Sequence, residues 1–259
     1  MTNDIGIEML IEEYNKMMDE IFPVPEYVNS KNNDSIRVLA LSSSKIVGFK
    51  DEIANILAAN VGDDLLFILD ANGWINVRKS TDKLMLEPNE KFISVSKISA
   101  SKIYEGKAYL IFRIPKDITK ILNIKEKERI VWMLDNKNNV IIKDTLLSDN
   151  CIIKGEILDI SAFSYQSMGI PEIVRDLLFS EAGDVIVFAI KNDNVIVKSF
   201  ADIENLKRIA ISTISISMRA SFNKTLKSFT NSKDGHLLWI LDMDGDIILR
   251  NTILPNTCI

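Results

Sequence analysis

Two kinds of hydrophobic pattern alternate along the chain: short strand-like apolar runs and short segments with helical spacing. Runs such as "RVLALSSS", "RIVWMLD" and "DVIVFAIK" alternate or are continuously apolar, which predicts β-strands. Between them lie short segments with apolar residues spaced by three and four, as in Ile118, Ile121 and Leu122, which predict short helices. The turns "DANGW", "DNKNN", "KNDN" and "DMDGD" predict β-hairpins, because Asn, Asp and Gly tolerate positive φ angles. The pattern predicts a mainly β chain with short helices.

The same order of elements occurs four times, and we call the copies the first to fourth repeats. The stretch "IPKDITKILNIKEKERIVWMLDNKNNVIIKD" at 114–144 aligns with "FKDEIANILAANVGDDLLFILDANGWINV" after a shift of 65 residues. A shift of 56 residues in the other direction aligns it with "IPEIVRDLLFSEAGDVIVFAIKNDNVIVK", and a fourth, weaker copy contains "LLWILDMDGDIILR". Each copy predicts the order β-β-α-β-β. The second and third copies have Ile-Pro at the helix start, where the fixed φ of proline suits the first turn. A unit of about 45 residues rarely buries its own hydrophobic face, so the repeats are expected to pack on one another.

Residues 1–34 lie outside the repeats and contain the acidic amphipathic segment "IEMLIEEYNKMMDEIF". The positions on its apolar face are Ile7, Leu10, Ile11, Tyr14, Met17, Met18 and Ile21. Two interpretations follow: a helix packed on the chain's own domains, which we favour, or a helix that mediates dimerisation or docks a protein partner.

Charge is distributed unevenly along the chain. The formal net charge is -5, yet residues 97–143 carry +6 while residues 1–34 carry -6. Because affinity for phosphates comes from local clusters of Lys and Arg, the basic segment matters more than the total.

The candidate chemistry is sparse. Cys151 and Cys258 lie far apart and form no CxxC pair, so we expect two ordinary thiols. His236 is the only histidine, and the glycines form no nucleotide-binding loop, so the sequence predicts neither an enzyme nor a cofactor or metal site. The acidic residues of the hairpins, Asp70, Asp135, Asp242, Asp244 and Asp246, fit turn chemistry better than a calcium loop. Similarly, Trp74, Trp132 and Trp239 are expected to fill the core. No signal peptide or membrane span is evident, which predicts a cytoplasmic protein.

The repeat resembles the AbrB/SpoVT/MazE family of swapped-hairpin domains. The resemblance rests on the Ile-Pro strand end, the short helix, the Gly-Asp turns Gly62-Asp63 and Gly183-Asp184, and the final hairpin. It is clearest in the second repeat, weakest in the fourth, and covers about two-thirds of the chain. In that family two units interlock their hairpins to close one barrel. The resemblance therefore implies two barrels: one at 35–144 (repeats 35–80 and 92–144) and one at 145–259 (repeats 151–199 and 209–252).

The resemblance also implies binding to double-stranded DNA by a transcriptional regulator. The family uses basic residues on the first strands, the following turn and the helix. The matching positions here are all in the second repeat: Lys97, Lys102, Lys107, Arg113, Lys116 and Lys120. The family's Gly-Arg before the second strand is replaced by Leu110-Ile111, the matching helix positions of the first repeat hold Ala54 and Asn55, and the third repeat has Asp176 where the second has Lys120. The alternative is therefore a protein-interaction or assembly scaffold whose repeats have lost DNA binding, and the sequence leaves the oligomeric state open.

Overall fold

A computed structural model shows a mainly β chain with short helices, which confirms the predicted class. The residues that the structure describes are 4–21, 35–43, 45–48, 51–81, 86–101, 109–125, 128–151, 153–164, 166–202, 206–230, 235–255 and 258. Among them, no helix is both long enough and apolar enough to cross a membrane.

The element order β-β-α-β-β recurs in each repeat, with one additional short strand in the second. The helices are α1 (Asp4–Ile21), α2 (Asp51–Ile56), α3 (Lys116–Ile121), α4 (Glu172–Leu178) and α5 (Lys224–Thr230), with a 3₁₀ turn at Phe200–Asp202. The strands of the first two repeats are β1 (Ser35–Ser43), β2 (Ile46–Gly48), β3 (Asp64–Leu69), β4 (Ile75–Lys79), β5 (Lys91–Lys97), β6 (Ser99–Ala100), β7 (Leu110–Arg113), β8 (Arg129–Leu134) and β9 (Val140–Lys143). Those of the last two are β10 (Gly155–Ala162), β11 (Ser167–Gly169), β12 (Val185–Lys191), β13 (Asn194–Ser199), β14 (Lys207–Thr213), β15 (Arg219–Ser221), β16 (His236–Asp242) and β17 (Ile247–Asn251), followed by β18 (Ile253–Pro255).

The chain forms two compact units. Unit I comprises Asn32–Leu146, Ile253–Thr257 and Ile259, and unit II comprises Met1–Lys31, Leu147–Thr252 and Cys258. Unit I thus holds the first two repeats and the C-terminal strand β18, which pairs with β1. Unit II holds α1 and the last two repeats.

In unit I, the two repeats exchange their hairpins. The main sheet has the order β18-β1-β8-β9-β4-β3-β5, so β1 of the first repeat pairs with the hairpin β8-β9 of the second. Reciprocally, β5 of the second repeat pairs with β3 of the first. A smaller sheet, in the order β2-β7-β6, brings together the second strands of the two repeats.

Unit II repeats this pairing with the last two repeats. Its main sheet has the order β10-β16-β17-β13-β12-β14, and β11 pairs with β15. Neither main sheet returns to its first strand, so strand pairing among the described residues leaves both sheets open. This differs from the predicted closed barrels.

Each unit has its own apolar core between the sheet and the short helices. Trp132 with Phe67 and Phe112 in unit I, and Trp239 with Phe188 and Phe222 in unit II, are almost completely buried. The core role predicted for Trp132 and Trp239 is confirmed, whereas Trp74, for which the same role was predicted, is only half-buried.

The Ile-Pro junctions begin helices, as the sequence predicts. Pro115 and Pro171 precede α3 and α4 with φ of -60° and -59°. The carbonyl of Pro115 accepts hydrogen bonds from the backbone N–H groups of Ile118 and Thr119. The proline therefore sets the start of the helix, and the fully buried Ile118 shows which face of the helix is turned to the core.

Helix α1 packs on β14 and α5 within unit II. The partly buried side turned toward them carries Ile11, Tyr14 and Asn15, whereas Leu10 and Met17 are exposed. The sequence placed Leu10 and Met17 on the buried face, and this prediction is wrong. The orientation is set by Asn15, whose amide hydrogen-bonds to the backbone of β14. The side chains of Ile7, Met18 and Ile21 lie outside the described residues.

Cys151 and Cys258 form a disulfide within unit II, so the expectation of two ordinary thiols is wrong. The half-cystines are 107 residues apart in the sequence. Chain folding brings them together: the backbone N–H of Ser148 donates to the carbonyl of Cys258, and that of Cys151 donates to the carbonyl of Ser148.

Candidate nucleic-acid interface

Three of the predicted DNA-binding residues lie together at the strand-to-helix junction of the second repeat. Arg113 ends β7, Lys116 begins α3, and Lys120 lies one helical turn further along. Residues spaced by four share one face of a helix, so Lys116 and Lys120 project from the same side of α3. All three side chains are exposed, while the intervening Ile114 and Ile118 anchor the junction in the core.

A fourth cation, Lys45 of the first repeat, lies beside this junction. The backbone N–H of Ile114 donates to the carbonyl of Lys45 at 3.3 Å, and the neighbouring Ile46 pairs with Arg113 across β2 and β7. Lys45 is exposed. Lys45 was not predicted, because the family positions match within a single repeat, whereas strand pairing places the turn of the first repeat beside the helix of the second. We call Lys45, Arg113, Lys116 and Lys120 the α3 cationic surface.

Lys97 does not share this surface. It lies on β5, where the hydroxyl of the preceding residue, Ser96, donates to the carbonyl of Arg113 at 2.7 Å. Successive side chains of a strand point to opposite faces, so Lys97 points away from the face that contacts β7. Lys102 and Lys107 lie outside the described residues.

Among the described residues, Arg113, Lys116 and Lys120 form no ion pair, in contrast to Arg37, which pairs with Glu52 at 3.1 Å. The helices of the first and third repeats are acidic at their starts, with "DEIANI" in α2 and "EIVRDLL" in α4. In α5, "KTLKSFT" is basic, but this helix is contacted by the acidic α1. Within unit I, α3 therefore supplies an accessible group of cations.

The aspartates of the hairpins organise turns. Asp70 Oδ1 accepts hydrogen bonds from the backbone N–H groups of Asn72 and Trp74. Asp135 and Asp242 make the same pair of bonds to the second and fourth residues after them. This is the turn chemistry that the sequence predicts, and it accounts for an acidic residue at the same position of three hairpins.

Asp246 differs from the other hairpin aspartates because it is buried and bound by two lysines. Its carboxylate oxygens accept from the Nζ atoms of Lys191 and Lys198, both at 2.5 Å. The carboxylates of Asp242, Asp244 and Asp246 lie within 4.8 Å of one another, and Lys191 also pairs with Asp244. Burial acts to raise the pKa of Asp246, but the hydrogen bonds from Lys191 and Lys198 outweigh it and lower this pKa below its usual value. The lysines thus compensate the acidic cluster.

Replacing Asp246 by Asn is expected to lower the free energy of unfolding by about 2 kcal/mol at pH 7. Removing one partner of a buried ion pair costs about 3–5 kcal/mol, and the loss is smaller here because both lysines can reach water. Since the folded-state pKa of Asp246 is lowered, its contribution is fully present above the unfolded pKa of about 3.9 and is lost as the pH falls through the folded pKa. Urea unfolding from pH 7 to pH 2.5 should show the two proteins converging at the acid end.

The control is Asp244→Asn, because Asp244 is 72% exposed and pairs only with Lys191 at 3.3 Å among the described residues. It should change stability by less than about 0.5 kcal/mol. Equal effects of the two substitutions would contradict a specific role for Asp246.

In comparisons with known proteins, no family model, no curated protein and no solved structure matches the chain.

Proposed function

We propose that the chain is a transcriptional regulator of the AbrB-like type that binds double-stranded DNA through the α3 cationic surface. The observation that carries the proposal is the group of exposed cations at the start of α3, three of which have no ion-pair partner among the described residues. The exchange of hairpins between paired repeats supports the assignment to this family, since the resemblance implies such an exchange.

The physical basis of binding is the release of counterions from DNA. Each phosphate neutralised by a Lys or Arg releases condensed cations and contributes about 0.9 to the dependence of log K on log salt. Because long, exposed side chains can adapt to the phosphate spacing, the α3 cationic surface suits backbone contacts. Such contacts supply affinity and orientation, whereas base-edge contacts would supply sequence preference. The contacts that we propose are therefore to the phosphate backbone of DNA.

Charge reversal on α3 tests this function. Lys116→Glu combined with Lys120→Glu is expected to weaken binding to a fluorescent DNA duplex about 30-fold at low salt and to flatten the salt dependence by about two phosphate contacts. The wild-type chain should bind at about micromolar concentration or tighter at 50 mM salt. Fluorescence anisotropy over a salt series measures both quantities.

The matched control is Lys91→Glu combined with Lys97→Glu, which changes the net charge equally but acts on β5. We expect this variant to bind DNA within about threefold of wild type, because Lys97 points away from the α3 cationic surface. Equal losses in the two variants would mean that only total charge matters. No binding by the wild-type chain at low salt would exclude the regulator and leave the scaffold function.

The proposed function implies a cytoplasmic location, as the sequence predicts. The disulfide between Cys151 and Cys258 weighs against that location, because cytosolic reductants usually keep thiols reduced. The redox state of the two cysteines in protein isolated under thiol-trapping conditions tests the location separately from DNA binding.

A further inference from the structure

Two strands occupy equivalent edges in units I and II. β5 ends the main sheet of unit I and β14 ends that of unit II. The segments "KFISVSKIS" at 91–99 and "KRIAISTIS" at 207–215 align with a shift of 116 residues.

The hydrogen bonds at the ends of these strands also match. Gly62 N–H donates to the carbonyl of Ile98 at 2.9 Å, and Gly183 N–H donates to that of Ile214 at 2.8 Å. The N–H of each isoleucine in turn donates to the carbonyl of Asp63 or Asp184, both at 2.8 Å. The two segments are therefore equivalent in structure as well as in sequence.

In unit II, α1 covers the edge. The side-chain amide of Asn15 donates to the carbonyl of Ile211 at 2.7 Å, and the N–H of Ile211 donates to Oδ1 of Asn15 at 2.9 Å. Both backbone groups of Ile211 thus point out of the sheet, and one asparagine satisfies them. The acidic α1 also contacts the basic α5.

In unit I, Val95 is the equivalent of Ile211. Along an edge strand, backbone groups point alternately toward the neighbouring strand and outward. The N–H and C=O of Ile98 point inward to the turn at Gly62 and Asp63, so those of Val95, three residues earlier, point outward. Val95 is 49% exposed, and among the described residues no side chain or helix hydrogen-bonds to its backbone. An exposed edge of this kind is a template for association.

We propose that the edge of β5 binds an acidic amphipathic helix of a partner protein, which places a side-chain amide on Val95 as Asn15 of α1 does on Ile211. The charges favour such a helix. Lys91 and Lys97, at the two ends of β5, are exposed, and the basic α3 contacts β5 as the basic α5 contacts β14. The helix α1, which covers the equivalent edge, carries six acidic residues and one lysine. A second copy of this chain is a poorer occupant, because its own α1 already covers β14.

A labelled peptide of residues 4–21 is a direct probe of this site on the full chain. We expect saturable binding with Kd below ~100 μM, measured by fluorescence anisotropy. The peptide with Asn15→Ala should bind about tenfold more weakly, since two hydrogen bonds are lost. Val95→Pro should abolish binding because it removes the outward N–H, and an edge strand tolerates proline at such a position. Far-ultraviolet circular dichroism checks that the variant folds.

Ile211→Pro is the matched control, since it alters the equivalent position in unit II. This substitution should not weaken peptide binding. If Ile211→Pro alone lowers the affinity for the peptide, the peptide replaces α1 on β14 and the proposal is wrong. If Val95→Pro does not fold, Lys91→Glu with Lys97→Glu serves instead, and we expect at least a fivefold loss of affinity for the peptide. No saturable binding by the wild-type chain overturns the proposal. So does concentration-dependent dimerisation that Val95→Pro abolishes, because a second copy would then fill the edge.

Discussion

Replacing Cys258 by serine is expected to lower the free energy of unfolding of unit II by about 4 kcal/mol. The Cys151–Cys258 disulfide closes a loop across a separation of 107 residues, which spans both repeats of the unit. In the chain-entropy model, a cross-link over about 100 residues removes enough freedom from the unfolded chain to contribute about 4.7 kcal/mol. Urea unfolding followed by fluorescence measures the effect, because Trp239 is buried in unit II.

The same effect should follow from reduction of the wild-type chain by dithiothreitol. The double variant Cys151→Ser with Cys258→Ser should be no less stable than either single variant, because the stabilisation belongs to the bond. Unit I contains no cysteine, and its buried Trp132 reports on its unfolding. We expect the unfolding transition of unit I to shift less than that of unit II. Two titratable thiols in the unreduced, denatured chain would contradict the disulfide.

Local patterns in the sequence predict much of the fold. The helix starts after Pro115 and Pro171, the hairpin turns organised by Asp70 and Asp135, and the burial of Trp132 all depend on residues close to one another in sequence. These features follow from backbone preferences and hydrophobic periodicity, which operate over a few residues.

Several contacts distant in sequence were not predicted, although the resemblance did imply the exchange of hairpins between repeats. The disulfide joins residues 107 apart, and the amide of Asn15 bonds to Ile211 across 196 residues. The pairing of β18 with β1 likewise joins the two ends of the repeat region. No periodic pattern reports such contacts, because each depends on where the whole fold places a segment.

In the candidate site, too, residues close in sequence were predicted and a residue brought in from another repeat was not. Arg113, Lys116 and Lys120 were predicted together, and they lie together because they are neighbours on one junction. Lys97 was grouped with them because the resemblance places basic residues on the first strand, but the pleat of β5 points it elsewhere, as the hydrogen bond from Ser96 to Arg113 indicates. Lys45 joins them only through pairing between repeats.

Gly155→Ala is expected to destabilise unit II by about 3 kcal/mol, at the upper end of the cost of overpacking. Gly155 begins β10 opposite Asp242 of β16. A Cβ at this position would lie 2.0 Å from the carbonyl oxygen of Leu241 and 2.8 Å from Cα of Asp242. Both contacts are to backbone atoms, so a change of rotamer cannot relieve them, and β16 is held on its other side by β17.

Gly169→Ala is the matched control, because it lies in β11 of the same repeat and its nearest neighbour would be 3.9 Å from the added Cβ. We expect a change within about 0.5 kcal/mol for it, as for most substitutions that disturb no packing. Since β10 pairs with β16 beside the hairpin that Asp242 organises, relief of the Gly155→Ala clash must move that hairpin. Combining Gly155→Ala with Asp246→Asn should therefore cost less than the sum of the two single effects. Equal stability of the Gly155→Ala and Gly169→Ala proteins would show that β10 does not approach β16 this closely.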